Sequence, residues 1–82
     1  MSAWDKKVAR IKEDSGPLSF GDVKLVCDRL FGPPRTHGSH LIYKMPWQGD
    51  PRINIQNRNG FVSPYQVRQV AKAIARWEEE HD

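Results

Sequence analysis

Between residues 35 and 56 the apolar positions recur every second residue, whereas on either side they recur at helical spacing. That change of period limits the folds open to this chain more than any other feature. Leu41, Tyr43 and Met45 alternate with His40, Ile42 and Lys44, and Ile53 and Ile55 alternate with Arg52, Asn54 and Gln56. Side chains on a strand point alternately to its two faces, so this pattern predicts an antiparallel hairpin with one apolar and one polar face. The segment Pro46-Trp47-Gln48-Gly49-Asp50-Pro51 supplies the turn. Arg35-Thr36 offers a short preceding strand that turns at Gly38, giving two or three strands in all.

The flanking helices follow from spacing and punctuation. Val23, Val26, Cys27 and Leu30 form one stripe at i, i+3, i+4 and i+7. Ser19 stands three residues before Asp22, at capping-box spacing, and Gly32-Pro33-Pro34 stops the helix. After the loop Asn57-Arg58-Asn59-Gly60, Ser63-Pro64 marks a helix start, with proline at the first helical position. Val67, Val70, Ala71, Ile74 and Trp77 form its apolar stripe, and Arg68, Lys72 and Arg76 a basic stripe on another face. Upstream, Trp4, Val8 and Ile11 place a short amphipathic helix over residues 4–13, broken by Ser15-Gly16-Pro17 and either docked on the domain or loosely ordered. The expected fold is an α+β sandwich, helix, two to three antiparallel strands, helix, with both helices on one sheet face. An N-terminal helical extension at residues 1–17 precedes a domain at residues 18–82.

At 82 residues the chain has room for one small domain. It contains no run apolar enough for a transmembrane helix, and Met1–Lys7 lacks the apolar core of a secretory signal, so the expected location is the cytoplasm. Its single cysteine excludes an internal disulfide, and Cys27 falls on the apolar stripe, where a thiol is buried and inert. The net charge of +3 understates how basic the centre is, because Glu78, Glu79, Glu80 and Asp82 crowd the C-terminus. A basic central segment suits a phosphate-bearing partner, and the expected one is RNA.

If Leu41, Tyr43 and Met45 face the helices, His40 stands on the open face beside Lys44 and Arg52, with Arg35 on the neighbouring strand. A histidine at the start of a strand is more often a solvated surface residue than a catalyst. Here a rigid strand holds it among cations, where it can exchange a proton while they hold an anion. Gly38 allows close backbone approach to a ligand. Ser39 either bonds a phosphate and orients His40 or is plain turn chemistry. His37 is either a general acid or a solvated turn residue. Arg35, His37, Gly38, Ser39, Lys44 and Arg52 are thus the candidate phosphate-binding residues around His40. The basic stripe on the last helix reads as a solvated face or a protein contact. Tyr43 and Trp77 are expected in the core. Trp47, at the hairpin tip, is the aromatic expected in solvent, to stack on a base or to pack against the hairpin or the N-terminal helix.

These residues resemble the HicA family, the toxins of HicAB toxin–antitoxin systems. The likeness lies in a helix ending at Phe31-Gly32, then Gly38-Ser39-His40 running into Leu41-Ile42-Tyr43, then Arg52-Ile53-Asn54-Ile55 and a helix opening at Tyr65-Gln66-Val67-Arg68. It covers roughly residues 18–76 and rests on the order of elements as much as on the short Gly-Ser-His motif. The resemblance implies a double-stranded-RNA-binding-like fold and an endoribonuclease that cleaves mRNA without a required metal. It also implies His40 as the catalytic residue, no small-molecule cofactor, and a HicB-type antitoxin that blocks the activity. Many members carry a basic residue where this chain has His37, and a second histidine at the end of the third strand, where this chain has Gln56-Asn57-Arg58. The hairpin turn is longer than in compact members and the first helix is additional.

Three other readings compete: a non-catalytic RNA-binding module of the same fold, a domain whose basic face meets an acidic protein, and a metal-dependent nuclease. The last needs clustered carboxylates, and Asp22, Asp28 and Asp50 fall on separate elements.

Overall fold

The computed structural model describes residues 2–13, 16–47, 49 and 52–81. Among the described residues three helices and two antiparallel sheets share one core. The three-stranded sheet has the order β2–β3–β4, from Arg35–His37, His40–Lys44 and Arg52–Gln56. Its register pairs Thr36 with Leu41, Leu41 with Ile55 and Tyr43 with Ile53. That row faces α2 (Phe20–Phe31) and α3 (Pro64–Glu80), and Tyr43, Ile53, Ile55 and Met45 are buried with Val23, Val26, Cys27, Val67, Val70 and Ile74. The expected sandwich, with a third strand contributed by Arg35–His37, is therefore present.

The two-residue connection Gly38-Ser39 joins β2 to β3. Gly38 has φ +62, while Ser39 stays at negative φ, the pattern of a turn with glycine at its first central position. The glycine is needed for the turn itself, since the left-handed region costs other residues roughly 1–2 kcal/mol.

Helix α1 (Ala3–Glu13) is docked. Ile11 is buried between α2 and α3, the Arg29 guanidinium lies 5.0 Å from the Trp4 ring, and Lys12 Nζ donates to Glu78 Oε1 at 2.7 Å. Its start is a reciprocal capping box: the Asp5 N–H donates to Ser2 Oγ at 3.1 Å, and Asp5 Oδ2 accepts from the Ser2 hydroxyl and N–H.

Several expectations are corrected. Ser19 makes no side-chain cap on α2, because Leu18–Ser19 forms strand β1, paired with β5 (Phe61–Val62), and Asp22 turns to Lys7 at 3.7 Å. The loop at 57–60 is a tight turn, with Asn59 and Gly60 both at positive φ, that leads into that second sheet. Ala73, not Ala71, is the buried alanine of α3, and Trp77 is only half-buried, stacked on His81 with centroids 4.0 Å apart. Trp47 is half-buried as well. Its ring meets Phe31 edge-on at 6.5 Å and lies under the Arg76 guanidinium at 4.8 Å, so it packs against the ends of α2 and α3, beside Met45 and Ile53 of the hairpin. The aromatics most in solvent are Phe61 and Tyr65. Of the two expected breaks, Ser15 in the first and Gln48, Asp50 and Pro51 in the second lie outside the described residues.

Candidate functional site

The register that buries Tyr43 and Ile55 turns a polar set to the opposite face. His37 pairs with His40 and His40 with Gln56, forming one row across three strands. Arg35, Ile42 and Asn54 form the next row, and Lys44 and Arg52 the third. The sequence-derived candidates thus share one face, and none of these eight residues is acidic. Lys44 and Arg52 stand directly opposite each other, two cations side by side on this face.

Each row lies about 7 Å from the next, since a strand rises roughly 3.3 Å per residue. Lys44 and Arg52 are therefore about 13 Å of strand from His40 and suit a neighbouring phosphate, not the one His40 touches. With Arg35, Ile42 and Pro33 they line a groove of about 250 Å³. His40 stands beside that groove, at the turn end of the sheet.

Two residues that the sequence placed on this face without a role turn out to organise it. Asn54 Oδ1 lies 2.7 Å from His40 Nδ1, diagonally across the strand pair. An amide oxygen only accepts, so in the neutral imidazole this contact selects the tautomer with the proton on Nδ1 and the lone pair on Nε2. Gln56 forms the second link. Its Nε2 donates to Ser39 Oγ at 2.9 Å, and its Oε1 accepts from Arg58 Nε at 3.3 Å. The Gln56 N–H donates to Gln66 Oε1 at 3.0 Å, tying the β4 edge to α3. Ser39 is thus held within the turn, and Arg58 is drawn to the His37–His40–Gln56 row. Sequence reading left Arg58 in a loop because its approach depends on the tight turn at Asn59-Gly60, which brings Arg58 against Phe61.

Other nucleophiles and metal ligands are poorly placed. Cys27 is fully buried, and burial, helped by the adjacent Asp28 charge, pushes its thiol up to about 12. Burial and a 2.6 Å hydrogen bond to Asp28 Oδ1 likewise hold the Tyr43 phenol far above its ordinary value. Among the described residues no three His, Cys, Asp or Glu side chains gather as a metal-holding group, and no helix is long and apolar enough to cross a membrane. No family model, curated protein or solved structure matches this chain.

Proposed function

We propose that this protein is a HicA-type toxin, a metal-independent endoribonuclease that cleaves mRNA in the cytoplasm and is neutralised by a HicB-type antitoxin. The helix, three antiparallel strands and helix from Phe20 to Glu80 are read here as a double-stranded-RNA-binding-like fold, in the order the resemblance implies. The observation that carries the activity is the His40–Asn54 hydrogen bond on a cationic face, which in the neutral imidazole selects the tautomer whose lone pair is on Nε2.

The reaction follows from that geometry. His40 Nε2 takes the proton of a ribose 2′-hydroxyl, and the 2′-oxygen attacks the adjacent phosphorus. The bond to the 5′-oxygen of the next nucleotide breaks, and that oxygen takes a proton from His37 in its imidazolium form. The products are a 2′,3′-cyclic phosphate and a free 5′-hydroxyl. Arg58 and Arg35 are the cations close enough to stabilise charge on the reacting phosphate. Lys44 and Arg52 hold the neighbouring one.

The test is cleavage of a labelled single-stranded RNA in EDTA by the wild type and by His40→Ala, with folding checked by circular dichroism. General base catalysis supplies about 10²–10⁴-fold, so the variant should lose at least a hundredfold. The cationic groove does not include His40, and that separation favours a second reading, an RNA-binding module that does not cleave. RNA bound and left intact by wild type and variant alike would establish it and refute the nuclease.

A further inference from the structure

We propose that single-stranded RNA does not end on the sheet face but crosses the β4 edge onto α3, where its far end stacks on Tyr65. The proposal rests on the RNA reading above and extends it to a second face of the molecule.

Three grooves carry it. The first, on the sheet, is lined by Arg35, Lys44 and Arg52. The second, of about 340 Å³, lies between β4 and α3 and is lined by Arg52 again, together with Gln69, Lys72 and Arg76. The third, of about 160 Å³, is lined by Tyr65, Arg68, Gln69 and Lys72. Arg52 lines the first two grooves, and Gln69 and Lys72 the last two, so each groove shares a wall with the next. Among the described residues no carboxylate lines any of them. Arg76 is held by the Trp47 ring and by Glu80 at 3.8 Å, which makes it a wall of the middle groove more than a mobile contact.

The α3 stripe is unusual for a merely solvated helix. Such faces gain stability by setting opposite charges four residues apart, as Arg76 and Glu80 do, whereas Arg68, Lys72 and Arg76 repeat the same charge at that spacing. Successive cations lie about 6 Å apart along the axis. At the end of the row Tyr65 is 64% exposed, more than any other large apolar side chain described. A charged groove ending at a bare aromatic ring fits a sugar-phosphate backbone with a stacked base better than an acidic peptide, which has no use for the ring.

The experiment uses the full chain and fluorescein-labelled 2′-O-methyl oligouridines of about 12 and about 4 nucleotides, which lack the attacking hydroxyl, read by fluorescence anisotropy over a salt series. Arg68→Gln/Lys72→Gln should lower the slope of log affinity against log salt by about 1.4 for the long probe, two phosphate contacts at roughly 0.7 each, and leave the short probe's slope unchanged. Tyr65→Ala should weaken the long probe about fivefold or more. If the α3 double variant binds the long probe with the wild-type slope while Arg35→Gln/Lys44→Gln loses affinity, the track is refuted and the sheet-face site stands. If the wild type binds neither probe but retains a labelled oligoglutamate, both the track and the RNA reading fall and the basic surface is a protein-docking face.

Discussion

Replacing Asn54 with alanine tests whether the His40 geometry matters. The bond to Nδ1 is 2.7 Å long and lies at the surface, so water can take its place. Its loss therefore costs no buried unpaired group, only the net preference for one tautomer and one ring orientation. A hydrogen bond of this kind is worth about 0.5–1.5 kcal/mol net, which corresponds to roughly 2–13-fold in the population of the productive imidazole. Asn54→Ala should lower kcat by that factor, against the hundredfold or more expected of His40→Ala, with KM little changed because Asn54 bears no charge. Asn54→Asp keeps an acceptor facing Nδ1 and should recover kcat relative to alanine while raising KM, since its charge repels the phosphate. The assay is steady-state cleavage of a short labelled RNA in EDTA over a range of RNA concentrations. A kcat for Asn54→Ala equal to the wild type would refute the positioning role. Losses for Asn54→Asp as large as for alanine in kcat alone would refute the tautomer argument behind it.

Two predictions concern the scaffold and hold whatever the activity. Tyr43→Phe removes the hydroxyl that donates to Asp28 Oδ1 at 2.6 Å, but Asp28 keeps Lys24 at 2.7 Å and part of its water. The loss should sit near the low end for a charged acceptor, about 1.5 kcal/mol, seen in thermal melts as a Tm lower by roughly 6–12 °C; an unchanged Tm would contradict it. With its thiol pushed up to about 12, Cys27 is about one part in ten thousand thiolate at pH 8. It should therefore resist a disulfide reagent in the native state and react at once in guanidinium, and rapid native labelling would show the core to be open.

The sheet was legible in the sequence because one face of β3 and β4 is buried, and burial forces alternation that a reader can see. The second sheet was not legible. Its strands have two residues each, too few to show a period, and Leu18-Ser19 resembles an ordinary approach to a helix. Trp47 was misjudged for a related reason. The hairpin tip looks exposed along the chain, yet its contacts are Phe31 and Arg76, which only tertiary packing brings to it. The same limit hid Asn54 and Arg58 as parts of the site. Their positions along the chain were plain, but the diagonal from Asn54 to His40 exists only once the register is fixed, and the approach of Arg58 only once the turn after it closes.

The way the His40 row is completed also bears on the proposed chemistry. Where the resemblance leads one to expect a second histidine, the chain sets Gln56, which ties Ser39 on one side to Arg58 on the other. A guanidinium is always charged in proteins, so Arg58 can stabilise a phosphorane but cannot give a proton to a leaving oxygen. Of the remaining imidazoles, His81 is stacked on Trp77 at the end of α3 and donates to its carbonyl oxygen. On the proposed mechanism, His37, the direct cross-strand partner of His40, is the imidazole placed to serve as the acid. If the proposal holds, charge stabilisation belongs to the β4 side and acid catalysis to the β2 side, with base and acid facing each other across the two-residue turn that Gly38 makes possible.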